Sequence, residues 1–382
     1  MQLERESNRL PINLGRSAGS SLKGASLAAM IVVSSVAMPA AYAAPDETNV
    51  PTQVAIGLNL DAHRGLLNTV HARIDHRYRE SARRGTPKDG DIPTNAPPRL
   101  RISTNYGGMW FESYGVSTEQ DELLGTTGYK GRAGGFSVGL DSHAADNWIF
   151  GGMVGYGISD ADLLHDKGAI EGDTIYTGIY MSNISTTHFV NLFLTAAVST
   201  FEAEREVTAG LFSDTADDEF GSYMWDARLE LGRTFGIFGD DFIRPNIAVE
   251  YTSAFHDDYM DDGAGLDPGL MIEEHTTKLV RTEAQVDLLI GSQNFEDDGW
   301  SSRLYVGVAH EIFLDDRFTQ ANLMGLAPYT LGLGDDHRTL GIIGGALSFA
   351  VNQRMRTQLS YQGEVNTEFE RHNVVLGFSV AW

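Results

Sequence analysis

The feature that most constrains this chain is a period of two in its hydrophobic residues, which begins near residue 101 and continues to the C-terminus. The segment "NVVLGFSVAW" shows it, because Val374, Leu376, Phe378, Val380 and Trp382 are large and apolar, while the residues between them are small or polar apart from one valine. Such alternation is typical of a β-strand with one apolar face. The same pattern recurs in "NWIFGGMVGYGIS", "HFVNLFLTAAVS", "YMWDARLELGR" and "VRTEAQVDLLI".

Many of these runs are longer than the strands of ordinary globular sheets, which average about 5–6 residues. They suit the roughly 9–11 tilted residues that a strand needs to cross a bilayer. One face can then contact lipid while the charged face lines a wet lumen, and alternation dilutes the apolar residues to the observed mean hydropathy of -0.20. A two-sheet sandwich also alternates, but it does not need strands of this length.

The pattern predicts an all-β fold, a twelve-stranded antiparallel transmembrane β-barrel over residues 101–382. The strands are predicted at 105–116, 131–141, 146–159, 170–182, 187–201, 219–235, 241–255, 277–292, 299–313, 338–351, 354–365 and 371–382. Long and short connections alternate between most of them, as expected for long outward loops and tight periplasmic turns. An even strand number returns the C-terminus to the periplasmic side.

The N-terminus predicts export. Four basic residues precede a short apolar stretch at 25–38, and Ala41 and Ala43 then form the A-x-A pattern of a signal-peptidase site. We therefore expect residues 1–43 to be a cleaved signal peptide, with an uncleaved membrane anchor as the alternative. The chain has no cysteine, so no disulfide can stabilise the exported protein.

Between the signal peptide and the barrel, the sequence predicts three short segments. Residues 44–58 are expected to be irregular or exported, 59–84 to form a helix, and 85–100 to be a linker rich in proline and glycine. The helix carries one narrow apolar stripe, formed by Leu66, Leu67, Val70 and Ile74.

The helix and the barrel have opposite charge. Residues 61–88 contain seven basic and three acidic residues, whereas residues 101–382 contain 16 basic and 43 acidic ones. We therefore expect the helix to lie in the barrel lumen, where oppositely charged side chains can pair; the alternative is a solvated periplasmic helix. The candidate basic residues are Arg73, Arg77, Arg79, Arg83 and Arg84. The candidate lumen acids are Asp226, Glu230, Glu283, Asp287 and Glu364. The formal net charge of -24 excludes nucleic acid as a partner.

Several motifs resemble the translocator β-domain of autotransporters, the type V secretion proteins. These motifs are the proline- and tyrosine-bearing "IRPNIAVEYTSAF", the His-Glu strand end "GVAHEI", and the closing hairpin "LSYQGEVNTEFERHNVVLGFSVAW". The resemblance implies a monomeric barrel in the outer membrane of a Gram-negative bacterium, in contact with lipid and lipopolysaccharide. It also implies handling by periplasmic chaperones and by the barrel-assembly machinery. That machinery would read a C-terminal signal formed by Val374, Leu376, Phe378, Val380 and Trp382.

Two departures from the family pattern affect the expected function. Only about 15 residues separate the predicted cleavage site from the predicted helix, so any exported segment is very short. Members of the family that cleave themselves commonly do so between paired asparagines in the helix, but here Asn68 is followed by Thr69. The sequence therefore predicts a barrel that translocates or displays its own short N-terminal segment and does not cut it.

Other motifs lead to weaker alternatives. A passive pore or structural outer-membrane protein is the second reading, and an outer-membrane hydrolase based on Asp335, Asp336 and His337 is the third. Adjacency in sequence does not place a general base near its proton source, so no catalytic residue is predicted. The acidic loop that begins at His256 lacks EF-hand spacing, so neither a metal nor a cofactor is predicted.

Overall fold

The computed structural model describes residues 51–83, 107–122, 128–145, 148–164, 168–185, 187–209, 212–237, 241–260, 270–290, 299–314, 318–323, 329–332, 337–352 and 354–381. The predicted signal peptide with Ala41 and Ala43, Arg84, the predicted linker at 85–100 and Trp382 lie outside the described residues.

Twelve long strands form the barrel wall. They are β1 (Gly107–Gln120), β2 (Tyr129–Ala145), β3 (Trp148–Leu163), β4 (Gly168–Ile184), β5 (His188–Ala209) and β6 (Phe212–Arg233). The second half comprises β7 (Phe242–His256), β8 (His275–Ile290), β9 (Trp300–Phe313), β10 (His337–Ala350), β11 (Met355–Val365) and β12 (Phe369–Ala381). Neighbours in the chain are antiparallel neighbours in the sheet.

The sheet closes on itself, because β12 pairs with β1 from Gly108↔Ala381 to Gln120↔Phe369. Each described backbone edge of the wall therefore has a neighbour, as a barrel in lipid requires. A two-residue strand, Phe235–Gly236, adds to one end of β7. The predicted twelve-stranded antiparallel barrel is confirmed.

The two faces of the wall differ as the alternation predicted. Along β12, Val374, Leu376 and Phe378 point outward and are 45%, 54% and 38% exposed, whereas the residues between them are buried toward the lumen. Val380 has the same parity and is partly buried. The outer face is thus an apolar surface that suits lipid.

The two ends of the barrel differ in the length of their connections. The first residues of β1 and the last of β12 meet at one end, where β2 and β3 are joined by only two residues. The longest connections, 257–274 and 314–336, lie at the opposite end. Since outer-membrane barrels have short periplasmic turns and long outward loops, we name these the periplasmic end and the outer end.

The outer end carries further strands. Short strands within the two longest connections, Tyr259–Met260, Leu270–Ile272, Phe318–Leu323 and Tyr329–Gly332, pair into a separate four-stranded sheet. The hairpin of β5 and β6 also extends there, each strand being 22 residues long. The prediction of a 17-residue loop at 202–218 is therefore wrong. The sequence of this hairpin extension is rich in acidic residues and lacks the alternating large apolar residues that a strand in lipid would show.

A single helix, α1 (Pro51–Arg83), precedes the barrel in the described part of the chain. It begins eight residues before the predicted start, so the prediction of an irregular segment is wrong for residues 51–58. Among the described residues, no helix combines the length and the apolarity that crossing a membrane requires.

Candidate functional site

Helix α1 runs through the lumen of the barrel. Its described side chains between residues 54 and 74 are buried or partly buried all round; Val54, Ala55, Leu58, Leu66 and Val70 are each at most 1% exposed. A helix on the surface of a protein buries only one stripe. This helix is buried all round and contacts strands on opposite sides of the barrel, so the barrel wall encloses it.

The apolar part of the helix packs against the wall formed by β12 and β1–β4. The predicted stripe of Leu66, Leu67, Val70 and Ile74 belongs to one buried cluster with inward aromatic residues of that wall. Its aromatic members on β1, β4 and the adjacent β5 are Trp110, Tyr114, Tyr176, Tyr180 and Phe193. This contact removes apolar surface from water, which stabilises the structure by about 25 cal/mol per Å² of buried apolar area. It also determines which wall the helix lies against.

Two helical glycines let the helix approach this wall closely. A Cβ atom at Gly65 would lie 2.9 Å from Cγ of Tyr114, and one at Gly57 would lie 3.1 Å from Cζ of Tyr129. Glycine in a helix interior costs about 0.5–1 kcal/mol relative to alanine. The two glycines are explained by tyrosine rings that occupy the space a larger side chain would need.

Buried ion pairs attach the helix to the wall at three heights. Arg371 of β12 donates from Nε to Asp61 over 2.7 Å. Arg64 contacts both carboxylate oxygens of Glu250 at 2.6 and 2.5 Å. Arg73 donates to both oxygens of Asp141 at 2.6 and 3.0 Å, and Tyr180 donates to the same carboxylate.

Two histidines of the helix add contacts to the opposite wall. Nε2 of His63 lies 3.4 Å from Oδ1 of Asp226, and Nε2 of His71 lies 3.3 Å from Oε2 of Glu230. The helix is therefore held from both sides of the lumen, by apolar packing and the ion pairs of Asp61 and Arg73 on one side and by polar contacts on the other.

These contacts also define the direction of the helix. Gly57 lies against Tyr129 and Asp61 against Arg371, and both wall residues are near the outer end of their strands. Arg73 contacts Asp141, which lies near the periplasmic end of β2. The N-terminal end of α1 thus faces the outer end of the barrel, and its C-terminal end faces the end where β1 begins.

Of the helix arginines predicted from the sequence, Arg73 is the one whose side chain is described, and its partner differs from those expected. Arg73 pairs with Asp141, which was not among the candidate acids. The side chains of Arg77, Arg79 and Arg83 lie outside the described residues. Arg64 and its partner Glu250 were not singled out in the sequence. The position of Glu250 in its predicted strand, with the parity of the lumen face, was the available signal.

The predicted lumen acids lie on the inner wall, and most of them contact barrel arginines. Asp226 and Glu230 face the helix histidines, as described above. The other three join a charged network on the wall formed by β6–β12. Its ion pairs join Arg228 to Glu250 and Glu283, Arg244 and Arg303 to Asp287, Arg281 to Glu283, Glu311 and Glu364, Arg338 to Glu311, and Arg371 to Glu364.

A polar cavity of about 40 Å³ remains between the helix and this charged wall. Arg64, Asn68 and His71 line it from the helix, and Arg228 and Glu283 line it from the barrel. A cavity needs roughly 10–15 Å³ of such volume to hold one water. The space beside the helix is therefore sized for a few waters and is much too narrow for a polypeptide.

The described residues do not form the hydrolase site that the sequence suggested as an alternative. Asp335 and Asp336 lie outside the described residues. His337 is exposed at the start of β10, with its ring centroid 6.1 Å from that of His310.

Comparison with known proteins identifies the family of this barrel and helix. A family model described as "Autotransporter beta-domain" matches residues 109–362. The chain belongs to the autotransporter β-domain family. It is accordingly an outer-membrane β-barrel protein, and the resemblance in its motifs is confirmed.

Curated relatives of this autotransporter β-domain include much longer proteins. Outer membrane protein B of Rickettsia conorii is 19% identical over 317 residues, which cover 78% of this chain and 18% of that protein. Outer membrane protein B of Rickettsia rickettsii is 19% identical over 345 residues, which cover 85% and 20%. The chain thus spans about a fifth of the length of these relatives.

Solved autotransporter structures share the fold. The translocator domain of the autotransporter NalP from Neisseria meningitidis matches with a TM-score of 0.58 at 12% identity, covering 82% of this chain and 96% of that one. The β-domain of the Bordetella autotransporter BrkA matches with a TM-score of 0.55 at 16% identity, covering 72% and 100%.

Removing the helix should open the pore of this autotransporter β-domain. We expect a variant that lacks residues 44–98 to show a single-channel conductance on the order of tenfold higher in planar bilayers, because a helix with its side chains is about 10–12 Å wide and fills the lumen. A variant that lacks only residues 44–50, which precede α1, is the matched control and should retain the conductance of the parent. Equal conductance of all three proteins would contradict a plugging role.

Proposed function

We propose that this autotransporter β-domain translocates or displays its own N-terminal segment at the cell surface and then keeps α1 in the lumen as a plug. The protein would reach the outer membrane through a signal peptide cleaved after Ala43. The outer-membrane lipid and lipopolysaccharide, the periplasmic chaperones and the barrel-assembly machinery are the partners that this proposal requires.

The direction of α1 carries the proposal. Its N-terminal end lies at Tyr129 near the outer end, and Arg73 lies at Asp141 near the periplasmic end. The chain then returns to β1, whose first residues are also at the periplasmic end. A segment that precedes α1 would therefore leave the barrel on the outer side, which supports export of that segment.

The ion pairs of α1 support a retained helix. Arg64, Arg73 and Asp61 are each at most 5% exposed and each has an oppositely charged partner on the wall. Withdrawing the helix would leave buried partners unpaired, which costs about 3–5 kcal/mol for a buried ion pair. These ion pairs therefore favour a helix that stays in the lumen after translocation.

Surface labelling of an epitope tag tests the proposed display. We expect a tag inserted after Thr48 to bind antibody on intact cells, because the segment before α1 would be outside. A tag placed between residues 85 and 98, on the other side of α1, is the matched control and should bind antibody only after the outer membrane is permeabilised. A Thr48 tag that is accessible only after permeabilisation would refute display and favour a passive pore or structural protein of the same fold.

A further inference from the structure

Two histidines form an unusual pair at the outer end of the lumen. His256 ends β7, His275 begins β8, and the two residues are directly opposite each other in the antiparallel register. Their rings are stacked, with centroids 4.7 Å apart and planes only 4° from parallel. The side chain of His256 is directed to the buried side of the wall and is 2% exposed.

Neither ring nitrogen of His256 has a hydrogen-bond partner among the described residues, and the ring of His275 has no side-chain partner there and contacts at most the backbone of Glu273. Buried polar atoms are usually hydrogen-bonded, and leaving one unsatisfied costs about 1–3 kcal/mol. Several other described histidines have polar partners, since the rings of His188, His310 and His372 contact hydroxyl groups and those of His63 and His71 lie against carboxylates. Two neighbouring imidazoles with unused nitrogens therefore point to a ligand that neither hydrogen bonding nor packing within the protein supplies.

The sequence around the pair is strongly acidic. Asp257 and Asp258 follow His256, and Glu273 and Glu274 precede His275, so that each strand end carries two exposed carboxylates. Like charges gathered beside a cleft raise the local concentration of ions of opposite sign. This arrangement attracts cations to the two histidines.

We propose that His256 and His275 bind one divalent transition-metal ion, Cu²⁺ or Zn²⁺, through one nitrogen of each ring. Imidazole is a preferred ligand of these ions, whereas Mg²⁺ and Ca²⁺ prefer oxygen. The nitrogen lone pairs lie in the ring planes, so both rings must rotate about χ2 from the stacked arrangement to converge on the ion.

No group of three or more histidine, cysteine or carboxylate side chains with metal-site geometry occurs among the described residues. Water therefore completes the coordination of the proposed ion. The bound ion would join β7 to β8 at the base of the connection 257–274, which leaves from one histidine and returns to the other.

Titration of the detergent-solubilised full chain with Cu²⁺ tests the proposal. We expect one equivalent to bind, with an electron paramagnetic resonance spectrum that shows two nitrogen ligands, and we expect Zn²⁺ to compete. H256Q and H275Q should each lower the affinity by at least about tenfold, as losses around metal ligands commonly do. H275Q is the safer variant for folding, because His275 is more exposed than His256.

The chain offers a matched control in a second cross-strand pair. The rings of His310 and His337 are 6.1 Å apart and tilted by 53°, and His310 already contacts Thr339. We expect the H310Q/H337Q double variant to bind Cu²⁺ as the parent does. Unchanged binding by H275Q, or a parent protein that binds no Cu²⁺ with nitrogen ligands, would overturn the proposal. Heat-dependent mobility in gels shows whether each variant retains its barrel.

Discussion

Placing charges on the lipid face of β12 is expected to abolish assembly into the outer membrane. Val374 and Leu376 lie near the middle of β12, point outward and are 45% and 54% exposed. An arginine at the bilayer midplane of a barrel costs about 2–4 kcal/mol. The double variant Val374→Arg/Leu376→Arg should therefore show little heat-modifiable barrel in outer-membrane fractions and should accumulate in the periplasm.

The position of the strand also contributes to this effect, since β12 is the seam that closes the barrel. Leu376 is opposite Leu359 of β11 and Ser113 of β1, so a shift of β12 disturbs both neighbours. Glu370→Arg is the matched control, because residue 370 points outward at the outer rim, where such substitutions cost only about 0–1 kcal/mol. Normal assembly of the double variant would contradict the assignment of the lipid face.

Replacing Arg281 should cause the second large loss. This side chain is 1% exposed and donates to Glu364 at 2.8 and 3.0 Å, as well as to Glu283 and Glu311. Without it, carboxylates from three strands remain buried beside one another. We expect Arg281→Met to lower the free energy of unfolding by about 3–5 kcal/mol, which is typical of a broken buried ion pair, as measured by urea unfolding of the refolded barrel in detergent.

Two further variants separate the charge effect from a loss of packing. Adding Glu364→Gln to Arg281→Met should recover part of the lost stability, because one excess negative charge is removed while Arg371 keeps its ion pair with Asp61. Lys130→Met breaks an exposed pair with Glu119, whose side chains are 57% and 52% exposed, and should have little effect. If Arg281→Met changed stability no more than Lys130→Met, the network would not stabilise the barrel.

The strands of the barrel could be predicted from the sequence because lipid enforces a local signal. An outward residue within the bilayer must be apolar, as Leu376 and Phe378 are, and its neighbours in the chain face the lumen. The same signal fails beyond the membrane. Residues 202–209 continue β5, but their sequence, EAEREVTA, carries no large apolar residue apart from Val207.

The start of the helix was missed because the barrel buries all of it. An amphipathic stripe predicted a helix from residue 59, but Val54, Ala55 and Leu58 are also buried and fall outside that stripe. Inside a lumen, apolar and polar residues both find partners on every face, so the helical period weakens where the burial is most complete.

The partners of the helix charges could not be predicted because they depend on height within the barrel. Parity alone shows that Asp141, Asp226 and Glu364 face inward. Which of them meets Arg73 depends on the tilt and stagger of twelve strands and on how deeply the helix sits. Tilt, stagger and depth are properties of the closed sheet, so they cannot be predicted from a local sequence pattern.

The long hairpin of β5 and β6 determines what another cell or molecule would meet first at the bacterial surface. Strands of 22 residues extend about 73 Å at roughly 3.3 Å per residue, and at the 35–45° tilt of such barrels they rise about 52–60 Å, well above an apolar band about 25 Å tall. A molecule approaching the membrane from outside would reach this hairpin before the rim of the pore. Sequence variation driven by such encounters should therefore be concentrated at residues 202–219, and the barrel beneath should change slowly.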